Sequence, residues 1–401
     1  LNRRILTTVI LILCSIGLHL AGYYALWKRF DPFQYFFYNT AWWSYIIFLD
    51  ALWAYKKNTH LVLNKKLPSL IVISCGFWCI FEIVNVRLEN WFYITLPQET
   101  FLRYSGYLLA YGTVVPAIYV TQEYIASFIG PIRIKPFTIP HYSIFSTLSG
   151  IFVLIVTLIY PLYAFPLTWI FFALILDGYN YRKGYGSFMK DLEKGDMKNI
   201  ISYMASGLVC GLLWEFWNLW SLSKWKYSVP LFEDFKIFEM PVPGYIGFVV
   251  FGIEVMTLIN FIRAIEMKKK IYWTLSFIAL CFSLFSFPLI DRYTVFSYAP
   301  SIEKLSFINE EKRTQFMQQG IKTSYGIEIK RLNHDEQASI NLLHLKGLGY
   351  EHFMKLQKVG IITVDNLATL DETTLSSLLN EHNMRRVRVY LKAARKYIKK
   401  K

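Results

Sequence analysis

Trp214-Glu215-Phe216-Trp217-Asn218 opens the segment WEFWNLWSLSKWKY, which ends at Tyr227, and the earlier segment EIVNVRLENWFY, Glu82 to Tyr93, repeats its pattern. In each, a Glu is followed three residues on by an Asn (Glu215 and Asn218; Glu82 and Asn85). A Trp-x-Tyr pair comes next (Trp225 and Tyr227; Trp91 and Tyr93), shortly before Pro230 or Pro97. Spacing of three places Glu and Asn on one helix face. Each pair lies near the end of a long apolar run, where an ionisable side chain is costly and calls for a reason. A costly feature that occurs twice points to a duplicated unit.

Composition sets the class around these segments. Hydrophobic residues make up 54% of 401 and charged residues only 18%, against about 25% charged in soluble domains. Apolar runs reach the ~20 residues that span hydrocarbon. The reading is an all-α, polytopic membrane bundle. Its nine spans fall at 5–27, 36–55, 67–88, 103–124, 143–162, 164–181, 200–221, 243–264 and 271–290. The basic start followed by an apolar stretch could pass for a signal peptide, but its end, His19-Leu20-Ala21-Gly22, is a poor cleavage site, so it is retained as a helix.

The features recur in order. Trp43, Asp50 and Tyr55-Lys56-Lys57 are matched by Trp169, Asp177 and Tyr181-Arg182-Lys183, and Gly106 to Gly112 by Gly247 to Gly252. The expected organisation is a first four-helix repeat over 1–130, a second over 140–266 and a ninth helix over 267–300. A linker over 301–340 then leads to a small soluble all-α domain over 341–401. Lys and Arg concentrate on the N-terminal side of the spans, which predicts a multi-pass protein of the cell membrane with a cytoplasmic N-terminus.

A carboxyl withdrawn from water can hold its proton and serve as an acid, and an Asn three residues away can orient it. Glu215, Asn218, Glu82 and Asn85 are therefore the candidate catalytic residues, with Glu99 added below. Trp78, Trp91, Tyr93, Trp214, Trp217, Trp225 and Tyr227 are the candidate substrate-binding residues, because aromatic faces stabilise a developing cation. The bland counterpart is that the glutamates join helices and the aromatics form an interfacial belt. Asp50 and Asp177, beside basic residues, could bind a lipid phosphate or simply neutralise charge. The five cysteines and seven histidines lack ligand spacing, so neither metal nor cofactor is expected.

Two resemblances add to this. LLHLKGLGYEHFMKLQKVGIITVDNLATLDETTLSSLL resembles the helix-hairpin-helix family, with Gly347-Leu348-Gly349 as the hairpin and Val359-Gly360-Ile361 and Thr363 to Leu367 as its linker. That family can hold nucleic-acid phosphate on its Gly-x-Gly amides. No glycine remains near Glu381-His382-Asn383, where the second hairpin belongs. The resemblance thus implies protein contact or self-association through 341–401 rather than nucleic-acid binding. The membrane repeat resembles the small membrane lycopene cyclases, whose Pro-x-Glu-Glu signature is matched in part by Pro97-Gln98-Glu99-Thr100. It implies acid-catalysed cyclisation of an isoprenoid, without redox change, with Glu99 in the site. The resulting expectation is an enzyme acting on a membrane lipid or carotenoid-like isoprenoid. The alternatives are a membrane-anchored scaffold or receptor, and a small-molecule transporter.

Overall fold

The computed structural model describes residues 3–229 and 235–399; Pro230, part of the second copy of the pattern, lies outside them. Six helices are long and apolar enough to cross a membrane: α1 (Arg3–Trp27), α3 (Leu67–Leu88), α6 (Tyr142–Ile159), α9 (Lys198–Trp220), α10 (Tyr245–Ile265) and α11 (Lys269–Tyr293). The chain is built as a multi-pass membrane protein.

The other three expected spans take a different form. Expected span 36–55 is helical, as α2 (Phe37–Lys57), but carries the buried polar residues Asn39, Ser44 and Asp50. It packs against α1, with Trp42 and Ile46 fully covered. Expected span 103–124 breaks into α4 (Thr100–Tyr111) and α5 (Val114–Phe128). Two features act there: Pro116 has no N–H for Gly112 O and its ring crowds that carbonyl, and a hydroxyl is inserted into the helical ladder. Ser74 Oγ of α3 donates to Tyr111 O at 2.7 Å and accepts from Val115 N at 3.0 Å, the two groups that would otherwise pair with each other. Expected span 164–181 starts as a 3₁₀ turn at Phe165–Trp169, around Pro166, and leaves only twelve residues for α7 (Phe171–Arg182). A short α8 (Phe188–Glu193) precedes α9.

The fold is all-α as expected, apart from short strands, two of which are the Trp-x-Tyr segments. β1 (Trp91–Ile94) and β2 (Lys224–Tyr227) pair antiparallel, Trp91 opposite Tyr227 and Tyr93 opposite Trp225. Exchanging the two strands leaves that set of pairs unchanged, so the ribbon has a local twofold. Along its other edge β1 binds the segment after α11: Tyr93 N donates to Thr294 O, and Phe296 N to Tyr93 O, both at 2.8 Å. Two-residue strands β3 (Lys236–Ile237) and β4 (Met240–Pro241) form a second hairpin.

After α11 come α12 (Glu310–Gln318), α13 (His334–Leu343), α14 (Gly349–Lys358), α15 (Val364–Ala368), α16 (Glu372–Leu379) and α17 (Met384–Ile398). They share a second core that already includes Ile302, Leu305, Ile308, Phe316 and Ile327. Residues 301–340, expected as a linker, therefore belong to the C-terminal domain. The domain docks on the ribbon end of the bundle. Arg385 Nη2 donates to Leu88 O at 3.0 Å, Arg29 Nη1 to Ile327 O at 2.7 Å, and Tyr35 pairs with Thr323 at 2.8 Å.

Candidate active site

The ribbon separates two environments because strand side chains alternate. Trp91, Tyr93, Trp225 and Tyr227 face a cavity inside the bundle. Phe92 and Ile94 face the other way, toward Gly347 of the C-terminal domain. The cavity has a volume of about 120 Å³, and its walls are mostly aromatic. Six of the seven expected binding residues line it: Trp78, Trp91, Tyr93, Trp214, Trp225 and Tyr227. Trp217 does not. It packs edge-on against Trp42, at 4.8 Å between ring centroids, in the core between α2 and α9.

The glutamates stand one layer behind the wall. Glu82 is fully buried, and its Oε1 accepts from Trp78 Nε1 at 2.8 Å, Trp91 Nε1 at 3.1 Å and the Tyr93 hydroxyl at 2.5 Å. Glu215 is equally buried, and its Oε1 accepts from the Tyr227 hydroxyl at 2.8 Å. Neither Oε2 has a hydrogen-bond partner among the described residues. Tyr93 and Tyr227 thus line the cavity while their hydroxyls bond to the buried carboxyls behind the wall.

The expected Glu–Asn hydrogen bond is replaced by a different arrangement. Asn85 Nδ2 donates to Trp91 O at 2.8 Å, while its Oδ1 accepts from Asn90 N at 2.9 Å and Trp91 N at 3.3 Å. Asn218 does the same for Trp225, donating to its O at 3.1 Å and accepting from its N at 3.0 Å. Each Asn fastens its strand to its helix and so fixes the Tyr beside the Glu. Six residues separate Asn85 from Trp91 and seven separate Asn218 from Trp225; the one-residue difference sits in the connecting loop.

Glu99 lies outside this cavity. It lines a neighbouring polar pocket with Asp31, Glu303 and Lys322, which meets the aromatic cavity at Tyr35, Pro97 and Leu102. Asp50 and Asp177, read as possible lipid-phosphate partners, are internal caps. Asp50 Oδ1 accepts from Leu61 N at 2.7 Å and Val62 N at 2.8 Å, and its Oδ2 contacts His60 Nδ1 at 2.5 Å. Asp177 holds Phe188 N at 3.1 Å, Ser187 Oγ at 2.6 Å and the Tyr142 hydroxyl at 2.8 Å. Each acid closes the loop after its own helix, which ends at Lys57 in one case and Arg182 in the other.

The sequence reading missed part of the wall. Trp169, noted there only as a repeat feature, stacks on Trp91 at 6.0 Å, and Tyr107 stacks on Tyr111 at 5.6 Å. Arg103 also lines the cavity. It is held by Asp291 of α11, with Nη2 to Oδ2 at 2.6 Å, and by Pro97 O and Gln98 O. Arg103 and Asp291 are 188 residues apart, and no local pattern announces their pairing. Among the described residues no group of three His, Cys, Asp or Glu is placed to hold a metal ion. The chain matches no protein-family model, no curated protein and no solved structure.

Proposed function

We propose that this chain is a membrane-embedded enzyme that rearranges an isoprenoid or similar lipid hydrocarbon by proton transfer in the aromatic cavity. The bundle is read as nine passes, a duplicated four-helix unit followed by a ninth helix, with the ribbon on the pseudo-twofold of the repeat. One observation carries the reading: two tyrosines that line the same tryptophan-lined space each donate their hydroxyl to a fully buried glutamate.

Such a pair moves a proton in either direction. A carboxyl that has its proton passes it to the tyrosine oxygen as the hydroxyl proton goes to a substrate double bond. The π electrons form the new C–H bond and leave a carbocation, which the indole faces stabilise through their quadrupoles. Attack by a second double bond closes a carbon–carbon bond and moves the positive charge. The opposite tyrosine then accepts a proton from a neighbouring carbon while its own hydroxyl proton passes to its glutamate, and the final double bond forms. One proton enters, one leaves, and no electrons are gained or lost. A scaffold role draws less support, because the Gly347 hairpin that would offer a partner surface is covered by the chain's own ribbon.

The test is to extract lipids from cells with and without the protein and compare them by mass spectrometry, with growth in deuterated water as a second arm. The expected product has its precursor's mass and gains one deuterium. Glu215→Gln and Tyr227→Phe should each lower its yield by at least ~100-fold, in line with loss of a proton-transfer group. Their thermal midpoints should stay near the native value. An unchanged lipid profile, or full product from Glu215→Gln, overturns the reading.

A further inference from the structure

Each turnover of the proposed reaction takes a proton from one glutamate and leaves one on the other, so both must be reset before the next. Glu82 has no exposed surface, and its proton needs a route. One runs along α4. Tyr93 donates to Glu82 Oε1 at 2.5 Å. The buried Tyr111 hydroxyl lies beside that of Tyr93, with no hydrogen-bond partner of its own among the described residues. The Tyr107 ring is parallel to that of Tyr111 within 3°, at 5.6 Å between centroids, and its hydroxyl donates to Asp291 Oδ1 at 2.8 Å. Asp291 stands in the last turn of α11, at the ribbon end of the bundle, and 14% of its side chain is exposed. Arg103 fixes it there, through Nε at 2.9 Å and Nη2 at 2.6 Å. The matching segment of the second copy, Gly247 to Gly252, has Phe248 and Phe251 where Gly106 to Gly112 has Tyr107 and Tyr111. Burying an unpaired hydroxyl is costly. Phenylalanine at 111 would avoid the cost, so the hydroxyl calls for a use.

We propose that Tyr107 and Tyr111 relay protons between Glu82 and solvent at Asp291. This rests on the proposed function, which has Glu82 give or take a proton, and adds how Glu82 recovers. A proton that reaches Asp291 passes to the Tyr107 oxygen. The Tyr107 hydroxyl proton moves on to Tyr111 by way of one bridging water, across the gap that the stacked rings set. Tyr111 gives its proton to Tyr93, and Tyr93 gives its own to Glu82. Each relay group gains one proton and loses one, and the reverse sequence unloads Glu82.

The experiment follows hydrogen–deuterium exchange of carboxylic acid groups by infrared spectroscopy, on the full chain in maltoside micelles and without substrate. The difference between native and Glu82→Gln spectra isolates the Glu82 C=O band, and its shift after transfer to deuterated buffer gives the exchange rate. Tyr107→Phe and Tyr111→Phe should each slow that exchange by at least ~100-fold, in line with loss of a positioned proton-transfer group. Both should keep thermal midpoints near the native value. Asp291→Asn should slow it as well, and Asp291→Glu should restore it. Tyr45→Phe removes a hydroxyl bonded to Thr121 at 2.7 Å, between α2 and α5, and should exchange at the native rate. A native rate in either Tyr107→Phe or Tyr111→Phe overturns the relay and leaves the proposed function standing. Equal slowing by Tyr45→Phe also overturns it, since any lost hydroxyl would then have the same effect. Absence of a Glu82 band wherever the protein is folded means that Glu82 holds no proton, which sinks its part in the proposed function together with the relay.

Discussion

Glu82 and Asn85 share a helix face yet do separate work. Asn85 serves backbone, through three hydrogen bonds to Asn90 and Trp91, and Glu82 serves side chains. Substitution should divide them accordingly. Asn85→Ala leaves two buried N–H groups and one carbonyl without partners, and we expect a loss of about 3 kcal/mol. Glu82→Gln keeps an acceptor for Trp78, Trp91 and Tyr93 and should lower stability by less than ~1 kcal/mol. Denaturant or thermal unfolding followed by tryptophan fluorescence separates the two, and equal losses would refute this division. Lys224 gives a prediction in pH. Its folded value is about 8, against ~10.4 in an unfolded chain. Between these the unfolded state holds more protons, so stability rises with pH across that window and is lost again as pH falls through 8. Lys226, at about 7, acts with the same sign from a lower start, while Glu239 is held below its usual value because its lysines outweigh its burial. Thermal midpoints at pH 8, 9 and 10 should climb in the native protein, and less steeply in Lys224→Met.

At the scale of elements, the sequence announced what repeats and what is long. The Glu/Asn and Trp-x-Tyr pattern marked both helix–strand corners, since each corner needs an amide to hold the strand and an aromatic to face inward. Six apolar runs marked six helices. It did not announce the strands, because four residues such as KWKY read equally well as a loop until a partner 134 positions away supplies the hydrogen bonds. The break between α4 and α5 was legible in part: Pro116 cannot donate to Gly112 O, a signal the reading of 103–124 as one span passed over. The other part comes from Ser74 on another helix. That cause can be tested. Ser74→Ala removes the inserted hydroxyl and leaves Tyr111 O and Val115 N to find each other. Closing the ladder requires α4 and α5 to straighten, which Pro116 opposes, since its ring crowds the Gly112 carbonyl and it has no N–H to pair with it. With straightening blocked, two buried groups stay unpaired, and thermal or denaturant unfolding should show a loss of about 2 kcal/mol. A Ser74→Ala protein as stable as the native one would mean that the break has another cause.

The molecule as a whole places the C-terminal helical domain against the back of the ribbon whose front forms the proposed active site. The joint is the turn before α14. Gly347 and Gly349 both adopt left-handed backbone, at φ +75° and +71°. A Cβ on Gly347 would lie 3.1 Å from Phe92 and 3.3 Å from Ile94, and one on Gly349 would lie 2.7 Å from Ser297 Cβ. Any side chain there meets the ribbon or the segment beside it, so substitution should separate the domain from the bundle. The domain has its own core around Phe353, Leu367 and Tyr390, and it should remain folded when it separates. Gly360 supplies the control. It is also left-handed, at φ +80°, but no atom lies within 4 Å of its would-be Cβ. Gly360→Ala therefore imposes backbone strain of ~1–2 kcal/mol without touching the interface. In limited trypsin digestion, Gly347→Val should loosen the 294–299 segment from β1, speed cleavage after Arg292 and release the domain as a fragment, while Gly360→Ala and the native chain should resist. Because the ribbon carries Tyr93 and Tyr227, Gly347→Val should also reduce product formation, although no catalytic group has changed. Equal release from both variants would mean that strain in the turn, rather than contact with Phe92 and Ile94, governs docking.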